Sequence, residues 1–310
     1  MSFLLRRRTG NSSFDDHNLH GRKRRRKPLV SAFYIIGILF GNTILVIYYY
    51  RRQHTSTTQP NIIEWNWHHY YAKSKNATAT RRKVLIAQYT GLDTAYLELT
   101  NITQRANKAY AKKWNHDYLL MMGTAFNSNQ VGISAYNKLP VLRKAIDARI
   151  YDVLLILDSD AVVVDMDQDV LDLMPQSMLL SACRNHESDN RHTWNINNGV
   201  TIWNLRHPRM EEVYTEWYRR LVVRIGKKNL IPSDQAELHD ILKEYSEEER
   251  KTIVNAIYTY HFRFHEGSFV KHIVRSKSST WISAQDDLIR RKTLLQEAVQ
   301  DVCTKWNCDL

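Results

Sequence analysis

Leu154-Leu155-Ile156-Leu157-Asp158-Ser159-Asp160 is the stretch that decides the fold of this chain. Four aliphatic residues in a row predict a strand that is buried on both faces. Side chains two apart on an extended backbone point the same way, so we expect Asp158 and Asp160 to converge. The carboxyl ends of strands in open α/β sheets are where ligands bind, and hard divalent cations prefer carboxylate oxygens. The stretch therefore predicts a metal site for a phosphate-bearing ligand, with a turn or a helix cap as the alternative.

Other strand and helix patterns lie on both sides of this stretch. Apolar runs predict strands at 84–89, 118–121, 153–157, 179–183, 200–203 and 269–273. Helical spacing predicts helices at about 95–115, 139–149, 208–225, 233–244 and 284–299. Alternating strands and helices predict an α/β sheet with right-handed crossover connections.

The net charge of +12 is concentrated near the N-terminus. Residues 1–28 carry nine basic and two acidic side chains, and Arg51 and Arg52 follow, which leaves +3 for residues 53–310. Because the body is nearly neutral, we expect no nucleic-acid partner. A nuclear-localisation or nucleic-acid patch is the alternative for the basic residues at 22–27.

Residues 29–50 contain no charged side chain and predict a membrane-spanning helix. A helix of this length extends roughly 33 Å, which is enough to cross a hydrocarbon core of about 30 Å. The basic residues come first, so the positive-inside rule predicts a single-pass type II anchor. We therefore expect a cytosolic tail at 1–28, a lumenal stem at 51–82 and a lumenal catalytic domain at 83–310.

Sequons and cysteines are compatible with a lumenal body. Asn76 and Asn101 each begin an Asn-x-Thr sequon, which predicts a glycoprotein. Cys303 and Cys308 are a pair that an oxidising lumen could join, whereas Cys183 is expected to be a buried thiol.

Basic and amide side chains flank the acidic stretch. Lys138 and Arg143 lie near the start of the helix that leads into it, where a cation can neutralise a diphosphate. A solvated helix face is the alternative. Asn197-Asn198-Gly199 precedes a strand, and its amides beside a glycine suit an uncharged sugar or form a turn alone.

Two later segments supply further candidate residues. Ser233 is the expected N-cap of a helix that Asp234 and Gln235 open, and these two residues either contribute to the cap or lie beside the reacting carbon of a sugar. A lone histidine is more often structural than a ligand, but His272 ends an apolar strand and is better placed than His265. An imidazole beside carboxylates favours Mn²⁺ over Mg²⁺.

Five blocks follow one another in a recognisable order. They are Tyr136-Asn137-Lys138-Leu139-Pro140-Val141-Leu142-Arg143-Lys144, Leu157-Asp158-Ser159-Asp160-Ala161, Ile196-Asn197-Asn198-Gly199, Ser233-Asp234-Gln235-Ala236 and Glu266-Gly267-Ser268-Phe269-Val270-Lys271-His272. Over about residues 84–275 they resemble glycosyltransferase family 34, a group with the GT-A fold. The chain departs from the family pattern at Ser233, where the family has Asp. It departs again after His272. The family has an aromatic residue, a small residue and glycine there, whereas this chain has Ile273-Val274-Arg275, so His265 stays the alternative ligand.

The resemblance implies a GT-A fold and a metal-dependent retaining glycosyltransferase. The group transferred would be a hexosyl or pentosyl group, passing from a nucleotide-diphospho-sugar to a glycan hydroxyl. The implied Mn²⁺ (or Mg²⁺) ligands are Asp158, Asp160 and His272. The implied donor-binding residues are Lys138, Arg143, Asp158, Ser159, Asn197, Asn198 and Gly199. The implied catalytic residues are Asp234 and Gln235. A Golgi membrane location and a homo- or hetero-oligomer with other glycosyltransferases are the accompanying expectations.

Two functions from other classes stay open. One is a metal-dependent phosphohydrolase, for which carboxylates alone would suffice, although two-metal hydrolases need more ligands than the sequence clearly offers. The other is a non-catalytic, membrane-anchored glycan-binding protein of the same fold, against which the retained Asp158 and Asp160 argue. The choice of sugar, nucleotide and acceptor depends on pocket shape.

Overall fold

The computed structural model describes residues 38–40, 43–45, 68–70, 81–91, 93–126, 132–185, 192–226, 233–257, 267–275 and 283–308. The chain divides into two units, Met1–His54 and Thr55–Leu310. In the first unit the described residues are two short antiparallel strands, β1 (Ile38–Phe40) and β2 (Thr43–Leu45). The functional residues considered below all lie in the second unit.

Strands and helices alternate through most of the second unit. Its strands are β3 (His68–Tyr70), β4 (Val84–Thr90), β5 (Asp117–Met122), β6 (Val153–Leu157), β7 (Ala161–Val163), β8 (Leu180–Arg184), β9 (Ile196–Asn204), β10 (Val254–Ile257) and β11 (Val270–His272). Its α-helices are α1 (Thr94–Trp114), α2 (Lys138–Ala148), α3 (Met210–Gly226), α4 (Asp234–Lys243), α5 (Glu247–Ile253) and α6 (Ala284–Trp306).

Seven of the described strands form one mixed sheet in the order β10-β8-β9-β6-β4-β5-β3. The central strands β5, β4 and β6 run parallel, whereas β9 runs antiparallel to both β6 and β8. The α/β class predicted from the sequence is confirmed. The reversed direction of β9 was not predicted, because a run of apolar residues carries no information on strand direction.

Both faces of the sheet are covered, as the aliphatic runs require. Along β6, Val153, Leu155 and Leu157 belong to one core, and Leu154 and Ile156 belong to the other. The first core contains buried side chains of α1 and α6, and the second contains buried side chains of α2, α3 and α4. The sheet therefore lies between two layers of helices.

A small second sheet brings the end of the chain to the end of β6. β7 follows β6 after three residues and pairs antiparallel with β11, which sets Ala161 opposite His272. The other edge of β7 is held by a side chain. Asn107 of α1 accepts a hydrogen bond from Val163 N–H at 2.9 Å and donates to the Ala161 carbonyl at 3.1 Å.

The element predictions are confirmed in type, with shifted ends. α6 continues to Trp306, seven residues beyond the predicted end at 299. β9 begins at Ile196 and so includes Asn197-Asn198-Gly199, for which a turn before the strand was predicted. The short elements β7, β10 and α5 were not predicted. Strand β3 (His68–Tyr70), which lies inside the predicted stem, was not predicted either, and it pairs with β5.

The predicted membrane-spanning segment lies mostly outside the described residues. Within 29–50 the structure describes only β1 and β2, and these six residues are extended rather than helical. No helix in the described part of the chain has the length and hydropathy needed to cross a membrane. The anchor and the domain boundaries at 28, 50 and 82 stay predictions.

Replacing Asn107 by Ala should destabilise the protein by about 2–4 kcal/mol, because two buried main-chain groups of β7 lose their partner. Urea unfolding followed by circular dichroism measures this. Asn101→Ala, at an exposed position of the same helix, is the control and should change stability by less than about 0.5 kcal/mol. Equal stabilities for the two variants would contradict the role given to Asn107.

Candidate functional site

Asp158, Ser159 and Asp160 form a tight turn between β6 and β7. The turn is closed by Ala161 N–H, which donates to the Asp158 carbonyl at 3.1 Å. The prediction that an extended backbone points both carboxylates the same way was therefore wrong in its reason. The two carboxylates nevertheless face a common point, and a third residue lies at that point.

That third residue is His272, the last residue of β11. Its Nε2 lies 3.3 Å from Asp160 Oδ1 and 3.8 Å from Asp158 Oδ2. The ligand atoms of the three side chains all lie within 4.8 Å of one another. The structure thus brings together the three predicted metal ligands, whereas the alternative, His265, lies outside the described residues.

Each carboxylate has one oxygen bound by a fixed donor. Asp158 Oδ1 accepts a hydrogen bond from the Tyr89 hydroxyl and lies 3.4 Å from Lys138 Nζ. Asp160 Oδ2 accepts from the Arg291 guanidinium. The other oxygen of each carboxylate, Asp158 Oδ2 and Asp160 Oδ1, is the one that faces His272.

This arrangement fits a divalent cation. Mg²⁺ binds oxygen at about 2.1 Å in octahedral geometry, so neighbouring ligand atoms on such an ion lie roughly 3 Å apart. The separations of 3.3 and 3.8 Å from His272 Nε2 are close to that value. Two carboxylates and one imidazole form a mixed oxygen and nitrogen donor set, which suits Mn²⁺.

Gly199 of β9 lies against this cluster. A Cβ at residue 199 would lie 2.0 Å from His272 Cε1 and 2.8 Å from Asp158 Oδ2. Glycine is therefore required here by space. The main chain of β9 approaches two of the candidate ligands closely, and it is tied to the turn by Asp158 N–H, which donates to the Gly199 carbonyl at 2.8 Å.

Opposing effects set the ionisation of the three candidate ligands. Burial raises the pKa of Asp158. Burial acts on Asp160 in the same direction, but His272 and Arg291 outweigh it and lower the pKa of that carboxyl. Burial alone lowers the pKa of His272, and the charge and hydrogen bond of Asp160 reverse that and raise it. Asp160 is therefore held firmly as an anion.

A second group of predicted residues lies directly beside the cluster. Lys138 Nζ donates to Asp234 Oδ2 at 2.5 Å, and the same oxygen accepts from Asn198 Nδ2 at 2.7 Å. Asn198 N–H donates to Gln235 Oε1 at 3.0 Å. Lys138 is 2% exposed, and the carboxylates of Asp158 and Asp234 outweigh burial and raise its pKa.

Lys138 therefore connects the metal side of the site to the Asp234 side. Its ammonium group is already neutralised by two carboxylates, which makes it an internal link. Asn198 Oδ1 has no hydrogen-bond partner within the described residues although it is buried. A buried acceptor without a partner is costly, and a hydroxyl group of a ligand can satisfy it.

The remaining donor-site predictions have different outcomes. Asn197 Oδ1 accepts from Gly199 N–H at 2.9 Å, and the Ser159 carbonyl accepts from Thr103 Oγ1 at 3.0 Å. Both residues are thus part of the local framework. Arg143 pairs with Glu211 at 2.8 Å and with Asp147 on the helix surface, so the structure does not bring it to the cluster.

Sequence reasoning missed Tyr89, Arg291 and the buried polar side chains of Gln88 and Thr103, which lie beneath the turn. Gln88 Nε2 donates to Thr103 Oγ1 at 2.7 Å and to the Asp158 carbonyl at 3.3 Å. The available signal was polar residues at core-facing positions of elements that are otherwise apolar, such as Gln88 in β4 and Thr103 in α1. A buried polar side chain requires partners, so such positions indicate an internal network.

No protein-family model and no curated protein matches the sequence. The solved structures to which the chain shows similarity include glycosyltransferases. One involved in the glycosylation of the major capsid of PBCV-1 gives a TM-score of 0.49 at 13% identity, over 69% of this chain and 99% of that chain. GlyE of Streptococcus pneumoniae TIGR4 gives 0.42 at 12%, over 73% of this chain and 64% of that chain. The galactosyltransferase LgtC gives 0.38 at 14%, over 73% and 100%.

Gly199→Ala should weaken Mn²⁺ binding at least about tenfold, because the new methyl group displaces His272 from the two carboxylates. Titration of the full chain with Mn²⁺, followed by electron paramagnetic resonance, measures the affinity. The double variant Gly199→Ala/His272→Ala is the control. It should recover part of the melting temperature lost in Gly199→Ala, because the clash with His272 is gone, without recovering Mn²⁺ affinity. Unchanged binding in the single variant would contradict the assignment.

Proposed function

We propose that this protein is a metal-dependent glycosyltransferase that uses a nucleotide-diphospho-sugar donor and transfers the sugar to a glycan hydroxyl. The observation that carries the proposal is the pair of groups that meet at the end of β6. One is the cation site formed by Asp158, Asp160 and His272. The other is formed by the amides of Asn198 and Gln235 and the carboxylate of Asp234. Lys138 joins them.

The two groups suit the two parts of such a donor. A cation held by the carboxylates and the imidazole would stabilise negative charge on the leaving diphosphate. Next to it, the amide of Asn198 and the carboxylate of Asp234 offer hydrogen bonds to sugar hydroxyls. A carboxylate fixed by Lys138 and Asn198 also stabilises positive charge that develops on the sugar ring, without having to reorient.

We further propose, from the resemblance to glycosyltransferase family 34, that transfer retains the anomeric configuration. Asp234 is held by a lysine and an amide, and Gln235 is a weak nucleophile. Neither is suited to form a covalent intermediate. Attack of the acceptor on the same face as the leaving group, through an oxocarbenium-like state, fits these residues better.

Location, metal and family membership extend the proposal. Mn²⁺ is the proposed metal, since an imidazole completes the donor set. The Cys303–Cys308 disulfide, with a Cα–Cα distance of 4.8 Å, suits a lumenal compartment such as the Golgi, and Cys183 is a buried free thiol. A type II anchor at 29–50 and membership of glycosyltransferase family 34 are proposed on the sequence patterns alone.

A panel of nucleotide-diphospho-sugars, incubated with the full chain, Mn²⁺ and glycan acceptors, tests the function. We expect transfer from one or a few of the donors, and loss of transfer on chelation with EDTA that is restored by Mn²⁺. Release of phosphate without transfer of sugar to any acceptor would favour the phosphohydrolase. Saturable binding of glycans without turnover would favour the non-catalytic glycan-binding protein.

Two substitutions separate the two halves of the site. Asp160→Asn should weaken Mn²⁺ binding at least about 100-fold and abolish transfer. Asp234→Asn should leave Mn²⁺ affinity within about twofold of wild type and lower kcat about 100-fold, because it removes charge beside the sugar. Equilibrium Mn²⁺ titration and initial-rate kinetics distinguish the two patterns. Similar Mn²⁺ affinities for both variants would contradict the assignment of Asp160 to the metal half and Asp234 to the sugar half of the site.

Asn is used at position 160 for a physical reason. Asp160→Ala would leave the buried Arg291 guanidinium with neither a counter-ion nor a hydrogen-bond acceptor at residue 160, and breaking a buried pair in this way costs about 3–5 kcal/mol. Asp160→Ala is therefore expected to destabilise the fold. The carboxamide of Asn still offers an oxygen to Arg291.

A further inference from the structure

Arg291 reaches the candidate cation site from a helix that contributes no metal ligand. It lies on α6, which is distant from Asp160 in sequence, and it is 4% exposed. Its guanidinium Nη2 donates to Asp160 Oδ2, and its Nε donates to the Ile273 carbonyl at 2.9 Å. The first acceptor belongs to a candidate ligand, and the second belongs to the residue that follows another candidate ligand.

One rigid group therefore spans the two elements that must meet for the site to exist. A guanidinium is planar, and its donors have fixed directions. By bonding Asp160 and the main chain after His272 at once, it fixes the carboxylate relative to β11. The bond to Oδ2 also leaves Oδ1 as the oxygen that faces His272.

The guanidinium is itself held in place. It lies over the Tyr96 ring of α1, with its central carbon 5.4 Å from the ring centroid. The next residue, Lys292, forms an ion pair with Glu98 of α1 at 2.8 Å. Further along α6, Leu295 and Val302 are buried in the core. The position of Arg291 is thus set by the packing of α6 on α1.

A positive charge at this position opposes the binding of a cation, since like charges repel. Its presence therefore needs a compensating benefit, and orientation of the ligands supplies one. Removal of the charge alone would strengthen cation binding, whereas loss of orientation would weaken it. The two effects have opposite signs, so an affinity measurement separates them.

We propose that Arg291 is a positioning residue of the cation site, which holds Asp160 and the strand bearing His272 in the geometry that binds the metal. The inference rests on the proposed function only in taking this site to bind a divalent cation. Arg291 acts through the residues to which it donates, Asp160 and Ile273.

The test is Mn²⁺ affinity of the full chain, measured by electron paramagnetic resonance with Mn²⁺ alone as the probe. Arg291→Met, which removes both hydrogen bonds, should weaken binding at least about tenfold. Arg291→Lys keeps the charge but lacks the planar fork, and it should also bind Mn²⁺ more weakly than wild type. Should Arg291→Met fail to fold, Arg291→Lys decides the matter, because it preserves the buried ion pair.

Arg290 supplies a matched control on the same helix. Its guanidinium donates to the Val274 carbonyl at 3.2 Å and pairs with Asp287 at 2.9 Å, without contacting Asp160. Arg290→Met should leave Mn²⁺ affinity unchanged. A purely structural role for Arg291 would lower the melting temperature of the metal-free protein and leave the Mn²⁺ affinity of the folded protein as it was.

The outcomes are distinct. Mn²⁺ affinity that is unchanged or stronger in Arg291→Lys and Arg291→Met, while wild type binds Mn²⁺, would overturn the positioning role and leave the proposed function standing. Absence of Mn²⁺ binding in wild type would overturn both. Weakening in the two Arg291 variants but not in Arg290→Met supports the role of Arg291.

Discussion

The need to hydrogen-bond a polar turn inside the protein is the constraint on which the rest of the structure depends. Unpaired main-chain groups that are buried cost free energy, so the carbonyls at 158–161 must find partners. Four donors supply them, two of which lie on α1: Gln88 for Asp158, Thr103 for Ser159, Ile273 N–H for Asp160 and Asn107 for Ala161. Strand β4, helix α1 and the end of β11 are thereby tied to one turn.

Within this framework, the two oxygens of each carboxylate have different partners. One oxygen of Asp158 and one of Asp160 are taken by fixed donors, and the other oxygen of each is directed toward His272. Burial makes unpaired charge expensive, and the buried Lys138 and Arg291 offset the negative charge of these acids. The same lysine reaches Asp234, so it lies between the metal side and the sugar side of the site.

Much of the candidate site could be predicted, because its residues lie at the ends of elements whose patterns are local. Asp158 and Asp160 follow an aliphatic strand, and Asp234 follows Ser233, which caps α4 by accepting from Ala236 N–H at 3.1 Å. Arg143 illustrates the limit of this reasoning. It shares helix α2 with Lys138, but it pairs with acids on the surface, because five residues along a helix turn a side chain to another direction.

The sequence alone was sufficient for the buried strand, the acidic residues that follow it, the order of the longer elements and the cap of α4, because these depend on residues close together in the chain. Tertiary structure decided the antiparallel direction of β9, the pairing of β7 with β11 that places His272, and the approach of Arg291 to Asp160. Each of these joins residues far apart in sequence. Their contact depends on how helices and strands pack, which periodicity along the chain does not encode.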